Sequence, residues 1–310
     1  MKNFLKTTAL FLLLVLSTLV LMDVGSDRVI RSKARFELKG QKSVAIFGYS
    51  HAECAYNDSL IARVVNLSES GESFFYTYQK IRVVLEQNPD IEVVMIEFSN
   101  SALYGKMDDW TWGDRYLSIR YPIYAPFMTA RDQWKLASHN ARGFSNSFSV
   151  ALRKKIWRIQ KSRYDYSEII GGYKALKWSK TDSLIKAQER RPEGTMDSGR
   201  SEMNLHYLKK IVELGSAMGK KMYLVRSPLH AAYRSAVDDD EFQRVLVEHF
   251  PGINFLDFAN FPAQNHQYAD LEHLNETGAL EFSIWFNQLI EKGLLNAIEP
   301  QEMIDKAMAE

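Results

Sequence analysis

The chain contains one cysteine, Cys54, among its 310 residues. A lone thiol excludes an internal disulfide and a cysteine-rich zinc site, although it leaves the redox compartment open. No histidine–glutamate pair stands at the helical spacing of a metal-binding H-E-x-x-H sequence, so nothing calls for a metal or another cofactor. Net charge is almost absent too, at +1. That balance excludes a partner chosen by bulk electrostatics, nucleic acid first among them. Internal repeats and low-complexity tracts are missing as well.

The chain is otherwise ordinary for a packed globular protein, with 46% hydrophobic and 25% charged residues, and is long enough for one large or two small domains. One segment departs from this. Lys2 and Lys6 precede a leucine-rich, uncharged run from Thr7 to Met22. The run is long for a signal-peptide core and slightly short for a spanning helix of ~20 residues. No Ala-x-Ala follows it, so residues 1–22 read as an uncleaved signal anchor, with a removed signal peptide as the alternative. A helix without a polar face does not suit the core of a cytosolic protein. Arg28, Arg31, Lys33 and Arg35 on its far side run against the positive-inside rule, but large domains translocate despite such charges. The expected location is the cell membrane, single-pass, with the globular part extracytoplasmic (periplasmic), or secreted if the segment is cleaved.

Residues 23–42 read as a polar tether, and 299–310 as a C-terminal tail. Between them, 43–298 alternate apolar strands with amphipathic helices. Strands are expected at Val44 to Phe47, Val64-Val65, Val93 to Phe98, Met222 to Val225 and Phe255-Leu256. A helix through Leu60-Ile61 should follow the first strand. Others are expected at Ser73 to Gln87, Glu202 to Met218 and Thr277 to Lys292. Strands apolar on both faces predict a central parallel sheet in a three-layer α/β sandwich. Residues 103–200 break the rhythm; they are rich in Trp, Tyr and Arg, with a helical stretch around Ile156 to Tyr173. They read as an insertion at the sheet's C-terminal edge, where open α/β sheets place ligands. A lid, a substrate-binding wall and a structural helical cap all fit it.

Two short stretches carry chemistry. Gly48-Tyr49-Ser50-His51 follows the first strand directly, so Ser50 emerges at the ligand-binding edge, with Gly48 permitting a tight turn. A helix starting near Ala52 would aim its free N–H groups and partial positive charge at the serine oxygen. A serine helix cap is the plain alternative. Near the other end, Asp270-Leu271-Glu272-His273 spaces a carboxylate and an imidazole so that the first can fix the tautomer of the second. Asn275 and Thr277 are available to cap the next helix, which frees Asp270 from that duty. Together the stretches point to a serine nucleophile with a histidine base.

These residues resemble the SGNH (GDSL-like) hydrolases and acyltransferases. Gly48-Tyr49-Ser50 resembles the family's first block, and Asn66-Leu67-Ser68-Glu69-Ser70-Gly71 the second, whose glycine N–H lines the oxyanion hole. Asp270 to His273 resembles the last, accompanied by Leu274-Asn275 and Gly278-Ala279. The resemblance covers Ser43 to Asn100 and Glu202 to Ile290. It implies a flavodoxin-like sandwich, Ser50, His273 and Asp270 as catalytic residues, and Gly71 and Asn100 as oxyanion donors. Two departures stand out. Tyr49 replaces the first block's aspartate, and Glu97-Phe98-Ser99-Asn100 replaces Gly-x-Asn-Asp, which would set a carboxylate where the oxyanion forms unless Glu97 points away.

Other positions rank lower. His51 adjoins Ser50 and is a poor base for it; its backbone N–H suits an oxyanion better than its ring does. Asn57-Asp58 reads as local polar packing on the helix after the first strand. Arg226, Pro228 and His230 end the fourth strand at the same edge, where Arg226 and His230 are candidates for substrate binding and a structural turn is the alternative. Asp238 to Glu241 reads as a helix start. Arg153, Lys154, Lys155, Arg158, Lys161 and Arg163 read as a solvated basic face, or as a contact for anionic lipid or an acidic glycan. The resulting expectation is ester hydrolysis or O-acyl transfer on an extracytoplasmic glycan or another ester substrate. The resemblance adds a membrane acyl-carrier protein as a partner of a transferase. The rival is a non-catalytic, membrane-tethered binding or assembly protein on a degraded scaffold.

Overall fold

The computed structural model describes residues 1–188, 199–235 and 237–310. In chain order its helices and strands are α1 (Lys2–Lys33), β1 (Val44–Phe47), α2 (Ser50–Ala55), β2 (Val64–Asn66), α3 (Phe74–Gln87), β3 (Val93–Glu97), α4 (Asp109–Trp112), α5 (Asp114–Tyr124), α6 (Ala130–His139), α7 (Ala141–Gln160), α8 (Thr181–Gln188), α9 (Glu202–Ala217), β4 (Lys221–Arg226), α10 (Asp239–His249), β5 (Asn254–Asp257), α11 (Glu276–Glu291) and α12 (Pro300–Ala309). They fall into two compact units, one of residues 37–111 and 167–310, the other of 1–36 and 112–166.

The first unit is built on the five strands, all parallel, in the order β2-β1-β3-β4-β5. Every residue of β1 and β3 is buried, as the uninterrupted apolar runs of a sheet covered on both faces require. Alternate side chains divide between two helical layers. Val44, Ile46, Met95, Tyr223, Val225 and Leu256 share a core with Ala52 of α2, Tyr56 just after it, Phe282 and Phe286 of α11, and Ile304 of α12. On the other face Met222 lies so close to Gly215 of α9 that a Cβ there would collide with its sulfur. Phe75 of α3 meets Tyr207 of α9, and Phe242 of α10 meets Phe255 of β5. This is the three-layer α/β sandwich that the strand pattern predicts.

Several boundaries differ from expectation. α2 ends at Ala55 instead of running through Leu60-Ile61, because the Asn66 amide of β2 donates to the Ala52 and Tyr56 carbonyls (2.9 and 2.8 Å) and Ser283 of α11 donates to that of Ala55 (3.2 Å). Partners outside the helix thus satisfy its last acceptors. Asn57 and Asp58 consequently lie beyond α2. The segment 299–310 is not a loose tail: Pro300 opens α12, Ile304 is fully buried, and Gln301 accepts the Asp257 N–H at 2.8 Å. Asp238 does start a helix, accepting the Glu241 N–H at 2.7 Å. Part of the insertion, including α8, belongs to the sheet unit.

The second unit packs α5, α6 and α7 with the C-terminal part of α1. Residues 23–33, expected to begin a tether, continue α1 because Asp23 and Asp27 clasp the buried Lys155 of α7, Asp27 at 2.7 Å. Arg31 donates to the Pro126 and Met128 carbonyls. Lys155 is therefore no part of a solvated basic face. α7 stops at Gln160, and Ser162 adopts φ 50°, so the helix predicted around Ile156 to Tyr173 ends early. The apolar part of α1 is exposed. The whole helix has 32 residues, hence a length of ~48 Å, and is long and apolar enough to cross a membrane.

Below the loop after β2 lies a fully buried ion pair. Lys80 reaches Glu72 at 2.7 Å and donates to the Leu67 carbonyl at 2.6 Å, while Thr77 donates to Glu72 at 3.1 Å. Removing one member leaves an uncompensated charge in a dry interior. Lys80→Met is expected to destabilise the protein by ~3–5 kcal/mol in denaturant titrations, and the Glu72→Gln/Lys80→Met double variant to recover a large part of that loss.

Candidate active site

Ser50 is the first residue of α2, with Tyr49 at the cap position, so it is not the helix cap, and the helix starts two residues before the expected Ala52. The turn between β1 and α2 is tight for a specific reason. A Cβ at Gly48, which holds φ 156°, would collide with the Cβ of Glu97. Glycine lets the β1 turn close over the end of β3. The loop after β2 then ties in, with Leu67 N–H donating to the Ile46 carbonyl and Glu69 N–H to that of Gly48 (2.8 and 3.0 Å).

The late stretch forms a closed loop. Tyr268 and Leu274 bridge its base, and Ala269 N–H donates to the His273 carbonyl at 2.9 Å. Asp270 Oδ1 accepts the main-chain N–H groups of Glu272 and His273 (2.8 and 2.9 Å) and faces His273 Nδ1 at 2.9 Å, with Oδ2 at 3.0 Å. The carboxylate only accepts, so Nδ1 carries the proton and Nε2 is left as an acceptor. Ser50 Oγ lies 2.8 Å from that Nε2 and donates to it. Three side chains from opposite ends of the chain thus form a continuous Ser–His–Asp relay on a half-buried surface. Burial alone would raise the Asp270 carboxyl, yet hydrogen bonding and charge from His273 outweigh it and hold it below its usual range.

Other predicted residues go elsewhere. Gly71 is buried at φ 67° in the loop after β2. Asn100 turns its amide to the Val237 carbonyl and Asp239 (both 3.3 Å) and accepts from Arg226 at 2.9 Å. That side chain holds a neighbouring cluster together. Arg226 is equally engaged. It binds Asp257 through Nε at 2.9 Å and again through Nη2, reaches Asp239 at 2.6 Å, and stacks on Phe242 and Phe255. A guanidinium held by two carboxylates and two rings is a structural tie, not an open substrate ligand. His230 accepts the Ala232 N–H on Nδ1 and meets Asn265 through Nε2 at 2.9 Å, so both of its ring nitrogens are occupied. Asn100, Arg226 and His230 do line one cavity of about 380 Å³.

Glu97 points away from the serine. It is fully buried, accepts from the Ser227 N–H and hydroxyl, and faces His51 Nδ1 at 3.7 Å. Tyr49 is buried as well, its hydroxyl 2.7 Å from Ser99 Oγ. The residues that motif reading missed are His51 as a side chain and Glu272. His51 is 3% exposed, and its Nε2 lies 3.4 Å from Glu272 Oε2. Burial alone would lower the His51 imidazole; hydrogen bonds and charge from Glu272 and Glu97 reverse that and push it up to about 9. For Glu272 burial works upward, and His51 and then His273 win, holding it below its usual range. A histidine directly after the serine was the available signal. Among the described residues no cluster of three or more His, Cys, Asp or Glu could hold a metal ion.

The fold and these contacts define an α/β protein with a serine–histidine–aspartate array at the C-terminal edge of its sheet. A protein-family model matches residues 180–295, less than half of the chain, and no curated protein sequence matches it. Among solved structures, a "putative acylhydrolase" from Bacteroides fragilis is 10% identical, with 86% of this chain and 91% of that one covered at a TM-score of 0.36. A GDSL-like lipase from Bacteroides thetaiotaomicron is 12% identical, with 87% and 98% covered at the same TM-score. Likeness at that level carries no argument about activity.

Two measurements follow from the site. Gly48→Ala is expected to cost at least ~1–3 kcal/mol in chemical denaturation, since strain at φ 156° adds to the collision with Glu97. Thermal melts across pH should show two limbs. The His51 contribution is fully present below its unfolded value of ~6.5 and is lost as pH rises through about 9. Those of Asp270 and Glu272 are present above ~4 and are lost as pH falls through their depressed folded values. His51→Gln should remove the alkaline limb and, because His51 is the main group holding Glu272 down, Glu272's share of the acid limb, leaving that of Asp270.

Proposed function

We propose that this protein is a serine-dependent enzyme of acyl-ester hydrolysis or O-acyl transfer, with Ser50 as nucleophile, His273 as base and Asp270 as the group that orients the base. The observation that carries this reading is the 2.8 Å contact of Ser50 Oγ with His273 Nε2, in line with the Asp270 contact on the other ring nitrogen. Ser50 Oγ attacks the ester carbonyl carbon while its proton passes to Nε2. The resulting oxyanion is held by main-chain N–H groups, for which we assign Ser50 and Gly71; losing one such donor typically costs ~3–4 kcal/mol. As the C–O bond breaks, the imidazolium returns its proton to the departing alkoxide. Water or a sugar hydroxyl then gives its proton to Nε2 and attacks the acyl carbon, and as the bond to Ser50 Oγ breaks Nε2 returns that proton to the serine. Asp270 stays ionised throughout and stabilises the imidazolium.

For the substrate we infer an O-acylated glycan outside the cytoplasm, reached by a domain that α1 anchors as a single span. Trp178 supports a carbohydrate. It is 50% exposed on a segment whose neighbour Lys180 donates its N–H to Ala269, beside Asp270, at 2.7 Å. An exposed indole on a segment tied to the loop that carries Asp270 suits stacking on a sugar ring. A membrane acyl-carrier protein would be the donor if the reaction is a transfer.

One observation favours the rival reading, a tethered binding or assembly protein. The Asn100 amide, which the family resemblance assigns to the oxyanion, is engaged with Val237 and Asp239. A fluorophosphonate probe separates the two readings. Wild type should label at Ser50, Ser50→Ala should not, and Asp270→Asn should label ~10²–10⁴-fold more slowly. A folded wild type that stays unlabelled supports the rival. For hydrolysis against transfer, acetate release from an aryl acetate is followed with and without an added oligosaccharide; indifference to the sugar counts against transfer.

A further inference from the structure

His51 follows Ser50 directly, and one step along α2 turns its ring ~100° from the serine. The ring enters the interior between two carboxylates. Nε2 lies 3.4 Å from Glu272 Oε2 and Nδ1 3.7 Å from Glu97 Oε1, with Ser99 Oγ 3.4 Å from the same Nδ1. The His51 and His273 rings meet edge to face with centroids 5.2 Å apart, and the Tyr49 ring lies at 5.0 Å. Glu272 stands between Asp270 and His273 in the chain, so whatever grips it also grips the loop that presents them.

We propose that His51 is a positioning residue, clipping through Glu272 the loop that carries Asp270 and His273 to the turn that carries Ser50. Its kinetic consequence rests on the acyl-transfer reading. The main-chain hydrogen bonds from Tyr268 to Leu274 close that loop on itself. The His51–Glu272 pair ties it to α2, and Glu97 fixes the other edge of the His51 ring to the end of β3. Only the charged ring carries an N–H toward each carboxylate, because neutral imidazole has one N–H. The groups facing it are Glu97 from β3, Glu272 and His273 from the late loop, and Tyr49 from the β1 turn. A cation there also offsets negative charge beside the oxyanion. Asp270 and Glu272 meanwhile still favour the imidazolium that His273 becomes. Burial opposes a charged His51, and the two carboxylates overcome that burial up to a pH of about 9.

The test uses the full chain and the rate of fluorophosphonate labelling against pH. Glu272→Gln changes a side chain that is 43% exposed, so it decides the matter even if His51→Gln fails to fold. Each variant should label ~10–100-fold more slowly, the usual cost of a misplaced reacting pair. The double variant should be no slower than the worse single. Wild type should lose rate as pH passes about 9, and folded His51→Gln should lack that limb. Imidazole NMR reads the clip without activity: His51 should titrate near 9 in wild type and clearly lower in Glu272→Gln. Wild-type labelling with an unchanged rate in Glu272→Gln, additive effects in the double variant, or a His51 titration indifferent to Glu272 overturns the clip. A protein that never labels yet shows the NMR coupling instead sinks the acyl-transfer reading and supports the clip.

Discussion

All five strands run the same way, and that constraint decides where polar chemistry can gather. Each connection between parallel strands must return across a face of the sheet, so the segments that leave the strands collect at one edge. β1 and β3 are neighbours although β2 lies between them in sequence. The chain therefore leaves β1 toward one side and β3 toward the other, and a crevice opens between them. Ser50 follows β1, Glu97 ends β3, and Arg226 and Ser227 end β4 or follow it. The loop before α11 meets them there, hydrogen-bonded through Leu271 to His230 at 3.1 Å.

The sheet unit also buries charge near that edge. An isolated ion in a packed interior is costly, so each is paired and hydrogen-bonded. Glu97 takes Ser227 and His51, Arg226 takes Asp257 and Asp239, and Glu72 takes Lys80. The consequence for function is selective. Residue types that look like ligand-binding groups, such as Arg226 and Asn100, are saturated by one another. The hydroxyl of Ser50 instead meets a nitrogen that accepts its proton. Glu97, which from its position threatens the oxyanion, is turned aside by Ser227 and by the closeness of Gly48.

Much of the sandwich was legible because buried parallel strands are short, apolar and regularly spaced with helices. Ser50, Asp270 and His273 were legible because each follows a local cue: a strand running into Gly48, and a carboxylate three positions ahead of an imidazole. What escaped depended on partners far along the chain. α2 stops at Ala55 because of Asn66 and Ser283. α1 continues past Met22 because Lys155 lies 128 residues beyond Asp27. The side-chain role of His51 was hidden for the same reason, as Glu272 is 221 positions away.

The order of residues alone determined which segments are apolar enough to become strands, where helices begin at Asp238 and Asn275, and that a long uncharged run opens the chain. These are short-range properties, set by side-chain volume, hydration and backbone preference within a few residues. Tertiary packing decided which polar groups face one another. It joined Ser50 to His273 across 223 positions, gave His51 two carboxylates, and withdrew Asn100 into the Arg226 cluster. A hydrogen bond is worth making only where its competitor, water, has been excluded, and it is the assembled layers that exclude it.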